Sequence, residues 1–280
     1  MAYTEQATSK YVQAGDVKMH YNEAGSGKPL ILIHGGGPGV SGWSNYSRNV
    51  DELAKNNRVI AIDLPGFGKS EKKHAEAGLY GFHAKTINAM FDALDIQQAN
   101  FIGNSLGGGT TLKFALDYPD RVGKLVLMGP GGSVPPFTPW PSEGIKLLSN
   151  FYSGEGPSMA KLKGFLDIML YDKSGMTEQL LEERYKAATL PEVLANPPPR
   201  MKGGGGPPPE ELWKENLAGL KHDVLLIWGR EDRVVPLDMS LLLLNRIPKA
   251  QLHVFPKCGH WCHWEKAGEF NALVTQFFKG

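Results

Sequence analysis

The sequence predicts an α/β protein whose mainly parallel, wound sheet carries helices on both faces. Three observations carry this reading: short apolar runs that end in loops, helical patterns between those runs, and a chain long enough to bury one large core. The runs are PLILIHG, RVIAIDLPG, ANFIGNS, KLVLMGPGG, DVLLIWGRED and AQLHVFP. They read as buried strands, continuously apolar rather than alternating. Strands that alternate with helices argue for crossover connections and therefore parallel neighbours. With 280 residues and 41% hydrophobic content, one main domain is expected.

The intervening helices show apolar residues at helical spacing. Ile87, Met90, Phe91 and Leu94 form one stripe, and Phe270, Leu273, Val274 and Phe277 form another. Both should pack on faces of the sheet. The alternation breaks after Gly132, and no clear strand returns before Asp223. Residues 133–217 therefore read as an inserted helical lid, dividing the core into residues 1–132 and 218–280. Within the insertion, the stretch NPPPRMKGGGGPPP at 196–209 is expected to be a mobile loop without regular structure. Proline removes amide donors there, and glycine maximises backbone entropy.

Charge and composition exclude several kinds of partner. Thirty basic residues against 29 acidic ones leave a net charge of +1, with no long run of either sign to attract nucleic acid or a membrane surface. The opening MAYTEQATSKYVQ lacks the apolar core of a signal peptide, and apolar runs such as 224–228 are too short to span a bilayer. A cytoplasmic location is expected. Cys258 and Cys262 are the only cysteines, so a disulfide framework is not expected.

The chemistry begins at Gly103-Asn104-Ser105-Leu106-Gly107. This GxSxG follows an apolar strand and precedes a helix containing Leu112, Phe114 and Ala115, the setting of a nucleophile elbow. Glycines two residues either side of the serine allow a strained turn that lifts the hydroxyl above the sheet. A serine needs a base to take its proton and a carboxylate to orient that base. Asp232 lies in the loop GRED after one strand, and His260 lies in the loop PKCGH after the next. Ser105, Asp232 and His260 follow the chain order of the α/β-hydrolase fold. Asp63 also ends a strand, and Glu231 is adjacent to Asp232, but neither combines strand-end placement with the right order. For the developing oxyanion, the amides of Gly36, in the bare-backbone run Gly35-Gly36-Gly37, and of Leu106 form the expected donor pair.

Competing motifs are weaker. Gly37-Pro38-Gly39-Val40-Ser41-Gly42 is formally GxGxxG, with Asp63 where a ribose ligand would stand. Pro38 removes an amide from the loop that should cradle a pyrophosphate, and the reading leaves the triad unexplained. Gly66-Phe67-Gly68-Lys69-Ser70 resembles the end of a P-loop but lacks its first glycine, and reads as a turn. Cys258, His260, Cys262 and His263 crowd into six consecutive positions, unlike the separated pairs of zinc sites, so no metal is expected. His34 should shape its loop, and His20, His74, His83, His222 and His253 read as structural or solvated.

On these and further motifs the chain resembles the meta-cleavage product hydrolases, which split carbon–carbon bonds in ring-opened aromatic compounds. The resemblance is carried by HGGGPGVSGWSNYSRN, GNSLGGGT, LVLMGPGG, MLYDKSGMTEQLLEERY, WGREDRVVPLD and AQLHVFPKCGHWCHWE. It spans nearly the whole chain and departs from the family most in the Pro/Gly-rich stretch. The biphenyl-type and steroid-type members look nearest. The resemblance implies a 2-hydroxy-6-oxo-dienoate substrate with a bulky 6-substituent, no cofactor, homo-oligomeric assembly as a dimer or tetramer, and Asn45, Asn104, Arg184 and Trp261 around the dienoate end. It further implies ketonisation of the substrate before Ser105 attacks the 6-oxo carbon.

The residues speak to part of this independently. Arg184 falls on the apolar stripe of its helix, with Leu180, Leu181 and Ala188. An inward-facing guanidinium needs an anion, either a substrate carboxylate or a structural Asp or Glu. Asn45 and Asn104 could instead stabilise turns, and Trp261 could simply pack against the histidine loop. An esterase or lactonase would need the same triad without the dienoate pocket, and a non-catalytic ligand receptor of this fold would need no triad.

Overall fold

A computed structural model of the chain describes residues 2–75, 77–132, 137–203 and 210–279. The strands are β1 (Ser9–Ala14), β2 (Val17–Ala24), β3 (Lys28–Ile33), β4 (Asn57–Ile62), β5 (Ala99–Asn104), β6 (Val122–Met128), β7 (Val224–Gly229) and β8 (Ala250–Phe255). They form one sheet in the spatial order β1, β2, β4, β3, β5, β6, β7, β8. All pairs from β4 through β8 are parallel, as the buried runs predict, whereas β1 and β2 add an antiparallel hairpin on the β4 side.

The helices are α1 (Glu5–Thr8), α2 (Gly42–Leu53), α3 (Leu79–Ala93), α4 (Leu106–Asp117), α5 (Glu143–Ser149), α6 (Met159–Met169), α7 (Glu178–Ala188), α8 (Pro191–Ala195), α9 (Asp238–Arg246), α10 (Cys262–Glu265) and α11 (Ala267–Lys279). Because side chains alternate across a strand, each central strand feeds two cores. Ile31, Ile60, Phe101, Leu127 and Leu226 pack with Ile87 and Phe91 of α3, Phe114 of α4 and Leu243 of α9. Leu30, Leu32, Val59, Ile102, Val126 and Ile227 pack on the opposite face with Tyr46 and Val50 of α2 and Phe270 and Val274 of α11. Each α/β layer thus buries its apolar stripe, at about 25 cal/mol per Å² of apolar surface removed from water.

Chain order reverses at β3, which has β4 on one side and β5 on the other. The crevice outside the carboxyl ends of strands at such a switch point is where open α/β sheets bind ligands. The loops that follow β3 and β5 begin with His34 and Ser105.

Between β6 and β7 no strand occurs among the described residues; α5 to α8 and short 3₁₀ turns fill the insertion. The expectation of an unstructured, mobile loop at 196–209 needs correction over its first half. Pro199–Met201 form a 3₁₀ turn, Met201 is buried, and the stretch is tied down at several points. Asn196 Nδ2 donates to Lys72 O at 2.7 Å, Tyr152 N to Met201 O at 2.9 Å, and Gly203 N to Ser149 O at 2.7 Å. A proline can open a 3₁₀ turn because the first amide there needs no intrahelical partner. Residues 204–209 lie outside the described residues. No described helix is long and apolar enough to cross a membrane.

Candidate active site

Ser105 sits between β5 and α4 with φ +52°, in the left-handed region that costs a non-glycine residue strain. Backbone hydrogen bonds hold it there: its amide donates to Met128 O at 2.8 Å, while Gly109 N and Gly131 N donate to its carbonyl at 3.0 and 2.9 Å. The flanking glycines are required by close approach. A methyl group on Gly103 would lie 2.4 Å from Gly107 O, and one on Gly107 would lie 2.2 Å from Ile33 O.

His260 and Asp232 are brought together from the ends of β8 and β7, with His260 Nδ1 and Asp232 Oδ2 2.7 Å apart. Both side chains are only 2% exposed. The other carboxylate oxygen, Oδ1, accepts the amides of Val234 and Val235 at 2.8 and 2.9 Å, so the acid cannot rotate freely. A carboxylate only accepts, which places the neutral ring's proton on Nδ1 and leaves Nε2 as a proton acceptor. Nε2 has no hydrogen-bond partner among the described residues, and His260 lines the same cavity as Ser105. Glu231 faces away, accepting Cys258 N at 3.0 Å.

Asp63 is fully buried, but in another role. It bonds His20 Nδ1 at 2.8 Å, Gly42 N at 2.6 Å and Lys69 N at 2.7 Å. Burial, the largest single influence, pushes its carboxyl pKa up, but the His20 hydrogen bond, the coulombic influence of His20 and His34 and the Lys69 amide together outweigh it and hold the carboxyl below the usual carboxylate range. A folded-state pKa below the unfolded one means the stabilisation is complete at neutral pH and fades as pH falls below about 4. Asp63→Asn is expected to cost about 3 kcal/mol of stability by urea denaturation, with a far smaller effect on kcat. Loss of turnover without loss of stability would move Asp63 into the catalytic machinery.

His34 shapes the glycine loop as expected: Nδ1 donates to Gly35 O at 2.7 Å and Nε2 accepts from Leu64 N at 3.0 Å. Burial lowers its pKa and favours the neutral ring these bonds require. The loop brings Gly36 against the elbow, where a methyl group on it would stand 3.2 Å from Leu106 Cδ2. Among the described residues, the amides of Gly36 and Leu106 give to no backbone acceptor.

A small cavity is lined by Gly35, Gly36, Gly37, Asn45, Asn104, Ser105, Arg184, His260 and Trp261, so the residues expected at the dienoate end converge with the nucleophile and base. Asn45 is buried with neither amide atom bonded, and Asn104 Nδ2 is likewise unpartnered, which disfavours the turn-stabilising alternative. Arg184 is 2% exposed. Its Nε and Nη2 both donate to Pro38 O, at 3.2 and 2.8 Å, its guanidinium lies 5.1 Å from the Trp261 ring centre, and Nη1 is unpartnered. No described Asp or Glu pairs with it. Burial lowers its pKa to about 10, which leaves it cationic at neutral pH. Trp261 also stacks on Trp264, with ring centres 5.5 Å apart.

The matching family model, for the alpha/beta hydrolase fold, covers residues 28–267. The chain is 43% identical, over 99% of its length and 98% of the relative's, to a 2-hydroxy-6-oxo-6-phenylhexa-2,4-dienoate hydrolase of Comamonas testosteroni. The chain belongs to the meta-cleavage product hydrolases. A 2-hydroxy-6-oxononadienedioate/2-hydroxy-6-oxononatrienedioate hydrolase of Paraburkholderia phymatum is 42% identical, over 99% of this chain and 98% of that one. Among solved structures, the meta-cleavage product hydrolase from Pseudomonas fluorescens IP01, a serine-to-alanine mutant complexed with acetates, matches with TM-score 0.84 and 37% identity, over 96% of this chain and 97% of that one.

This member of the family has pocket walls that the sequence reading did not single out. Val40, Leu148, Phe165, Met169 and Val234 complete the cavity lining. In sequence they are apolar residues like any in the core; only the fold separates a wall from a core position.

Proposed function

We propose that the chain hydrolyses the carbon–carbon bond of a 2-hydroxy-6-oxo-hexa-2,4-dienoate bearing a 6-phenyl or similarly bulky group, giving 2-hydroxypenta-2,4-dienoate and a carboxylic acid such as benzoate. The observation that carries the reading is Arg184, a buried cation beside Ser105 with no acidic partner among the described residues. A buried unpaired charge is costly, and a substrate carboxylate would supply both the charge and the planar geometry that a guanidinium fork matches. Arg184 would clamp C1, with Asn45, Asn104 and Trp261 about the dienoate.

The chemistry follows from making carbon a tolerable leaving group. The enol proton at the 2-hydroxyl is lost and C5 gains a proton, with His260 as the shuttle, giving the 2,6-dioxo tautomer. Ser105 then attacks C6 while His260 Nε2 takes its proton, and the Gly36 and Leu106 amides receive the oxyanion. When C5–C6 breaks, the electron pair leaves on C5 and delocalises onto the 2-oxo group as a dienolate. Protonated His260 gives the proton it took from Ser105 to the dienolate, which leaves as 2-hydroxypenta-2,4-dienoate. The neutral ring then takes a proton from the water that attacks the acyl carbon and returns it to the Ser105 oxygen as the carboxylic acid is released. Every step uses side chains and backbone amides of the chain.

The apolar part of the lining supports a bulky apolar 6-substituent. Leu148, Phe165, Met169 and Val234 are apolar, and Arg184 is the only Lys or Arg in the lining among the described residues. A 6-substituent ending in a second carboxylate would bury an anion without a second cation. Residues 133–217 act as a lid in this reading, since α5, α6 and α7 contribute Leu148, Phe165, Met169 and Arg184 to the walls. A cytoplasmic location and a homo-oligomeric state, dimer or tetramer, complete the proposal and rest on the sequence reading. Incubation with 2-hydroxy-6-oxo-6-phenylhexa-2,4-dienoate is expected to bleach its conjugated absorbance as benzoate accumulates in equal amount. Persistent absorbance, with hydrolysis of simple esters intact, would make the protein an esterase.

A further inference from the structure

Glu265 ends α10, five residues after His260, and does not line the cavity. Its carboxylate gathers three backbone amides from two separate stretches of chain. Oε1 accepts Gly259 N at 2.8 Å, from the residue preceding His260. Oε2 accepts Tyr171 N and Asp172 N, each at 2.9 Å, from the chain that leaves α6. The two stretches also touch directly: His260 N donates to Met169 O at 2.7 Å, and a methyl group on Gly259 would lie 2.3 Å from that same oxygen. No described Lys, Arg or His pairs with Glu265; besides the three amides only the Cys258 thiol, with Sγ 3.9 Å from Oε1, donates to it among the described residues. Burial raises its carboxyl pKa against them.

The histidine loop needs such support. Lys257, within it, holds φ +52°, a strained conformation that persists only where its surroundings fix it. On one side the loop is laced to the acid loop, through Arg230 N to Phe255 O at 2.9 Å, Glu231 N to Cys258 O at 3.0 Å and Cys258 N to Glu231 Oε2 at 3.0 Å. On the other side Glu265 is the side chain that ties it to the insertion.

We propose that Glu265 is a positioning residue: it fixes the His260 loop against the end of α6, so that the base and the Phe165–Met169 wall of the pocket keep one register through the reaction. This rests on His260 being the general base. Misplacing a base by a fraction of an ångström to an ångström costs rate much more than it costs binding, because the reacting atoms must meet in line. Dienoate binding, anchored by Arg184 on α7, has less need of the clamp.

The experiment compares parent and Glu265→Gln, in which an amide NH₂ would face amide donors. Fluorophosphonate labelling of Ser105 in the parent tests the underlying reading by itself; an unreactive parent serine sinks that reading whatever the variant does. Given a reactive parent, Glu265→Gln is expected to lower kcat about 10- to 100-fold for the dienoate and for a small neutral ester alike, with KM little changed. Labelling should slow in the same proportion, and the low-field NMR proton of the His260–Asp232 hydrogen bond should shift or broaden. An unchanged kcat in a variant with a lower melting temperature, or a loss confined to KM, overturns the proposal. If Glu265→Gln does not fold, Asp172→Pro removes one of the three amides and leaves the carboxylate; a smaller loss in kcat at unchanged KM supports the proposal, and an unchanged kcat overturns it.

Discussion

Ser105→Ala is expected to lower turnover of the dienoate by about 10⁴-fold or more while leaving its binding measurable. The variant removes one oxygen from a cavity whose Arg184, Asn45 and oxyanion amides stay in place. Without the hydroxyl there is no attack on C6 and no acyl group to release, so the loss falls on kcat. The variant also separates the two halves of the proposed reaction. His260 keeps its bond to Asp232 and can still move a proton on the bound dienoate. Stopped-flow spectra should therefore record a shifted absorbance of bound, uncleaved substrate. Release of benzoate at near the parent rate would remove Ser105 from the mechanism. The strain at φ +52° makes a second readout possible: alanine is no more at ease there than serine, so the melting temperature should change little.

Much of this was legible in the sequence because period and burial coincide. Runs such as Leu30–Ile33 and Val224–Trp228 are apolar at every position, which only strands covered on both faces require. The elbow, the acid loop and the histidine loop were findable because each follows such a strand, and the wound sheet sets all strand ends on one rim. The β1–β2 hairpin was not singled out. β1 is an edge strand with Lys10, Tyr11 and Gln13 exposed, so its pattern is mostly polar, and the signal that could have found it is the turn at Gly15-Asp16, where Gly15 holds φ +62°. The buttresses were illegible for another reason. Glu265 reaches Tyr171 N, and Glu210 accepts Tyr80 N at the start of α3, across separations of 94 and 130 residues. A carboxylate that serves distant backbone amides leaves no local pattern at either end. Arg184 lay between these cases: its helical stripe showed that it faces inward, but only the folded chain shows that no described acid awaits it.

That missing acid makes Arg184 the sharpest test of substrate class. Arg184→Gln is expected to lower kcat/KM for the dienoate by about 10²- to 10³-fold, the cost of burying a carboxylate whose charged partner has been truncated. A small neutral ester has no carboxylate to hold and needs only Ser105, His260 and the oxyanion amides, so its hydrolysis should fall by far less. Stability supplies the control. A structural ion pair, once broken, leaves an uncompensated buried charge and a less stable protein. Here the free enzyme already carries the guanidinium with Nη1 unpartnered, and glutamine can still donate toward Pro38 O. Removing the charge should therefore leave the melting temperature unchanged or raise it. Burial brings the Arg184 pKa down only to about 10, so between pH 6 and 8 it stays charged and the ratio of dienoate to ester activity in the parent should be flat. Parallel loss of both activities with a lower melting temperature would make Arg184 a fold-stabilising residue. The dienoate carboxylate would then need another anchor.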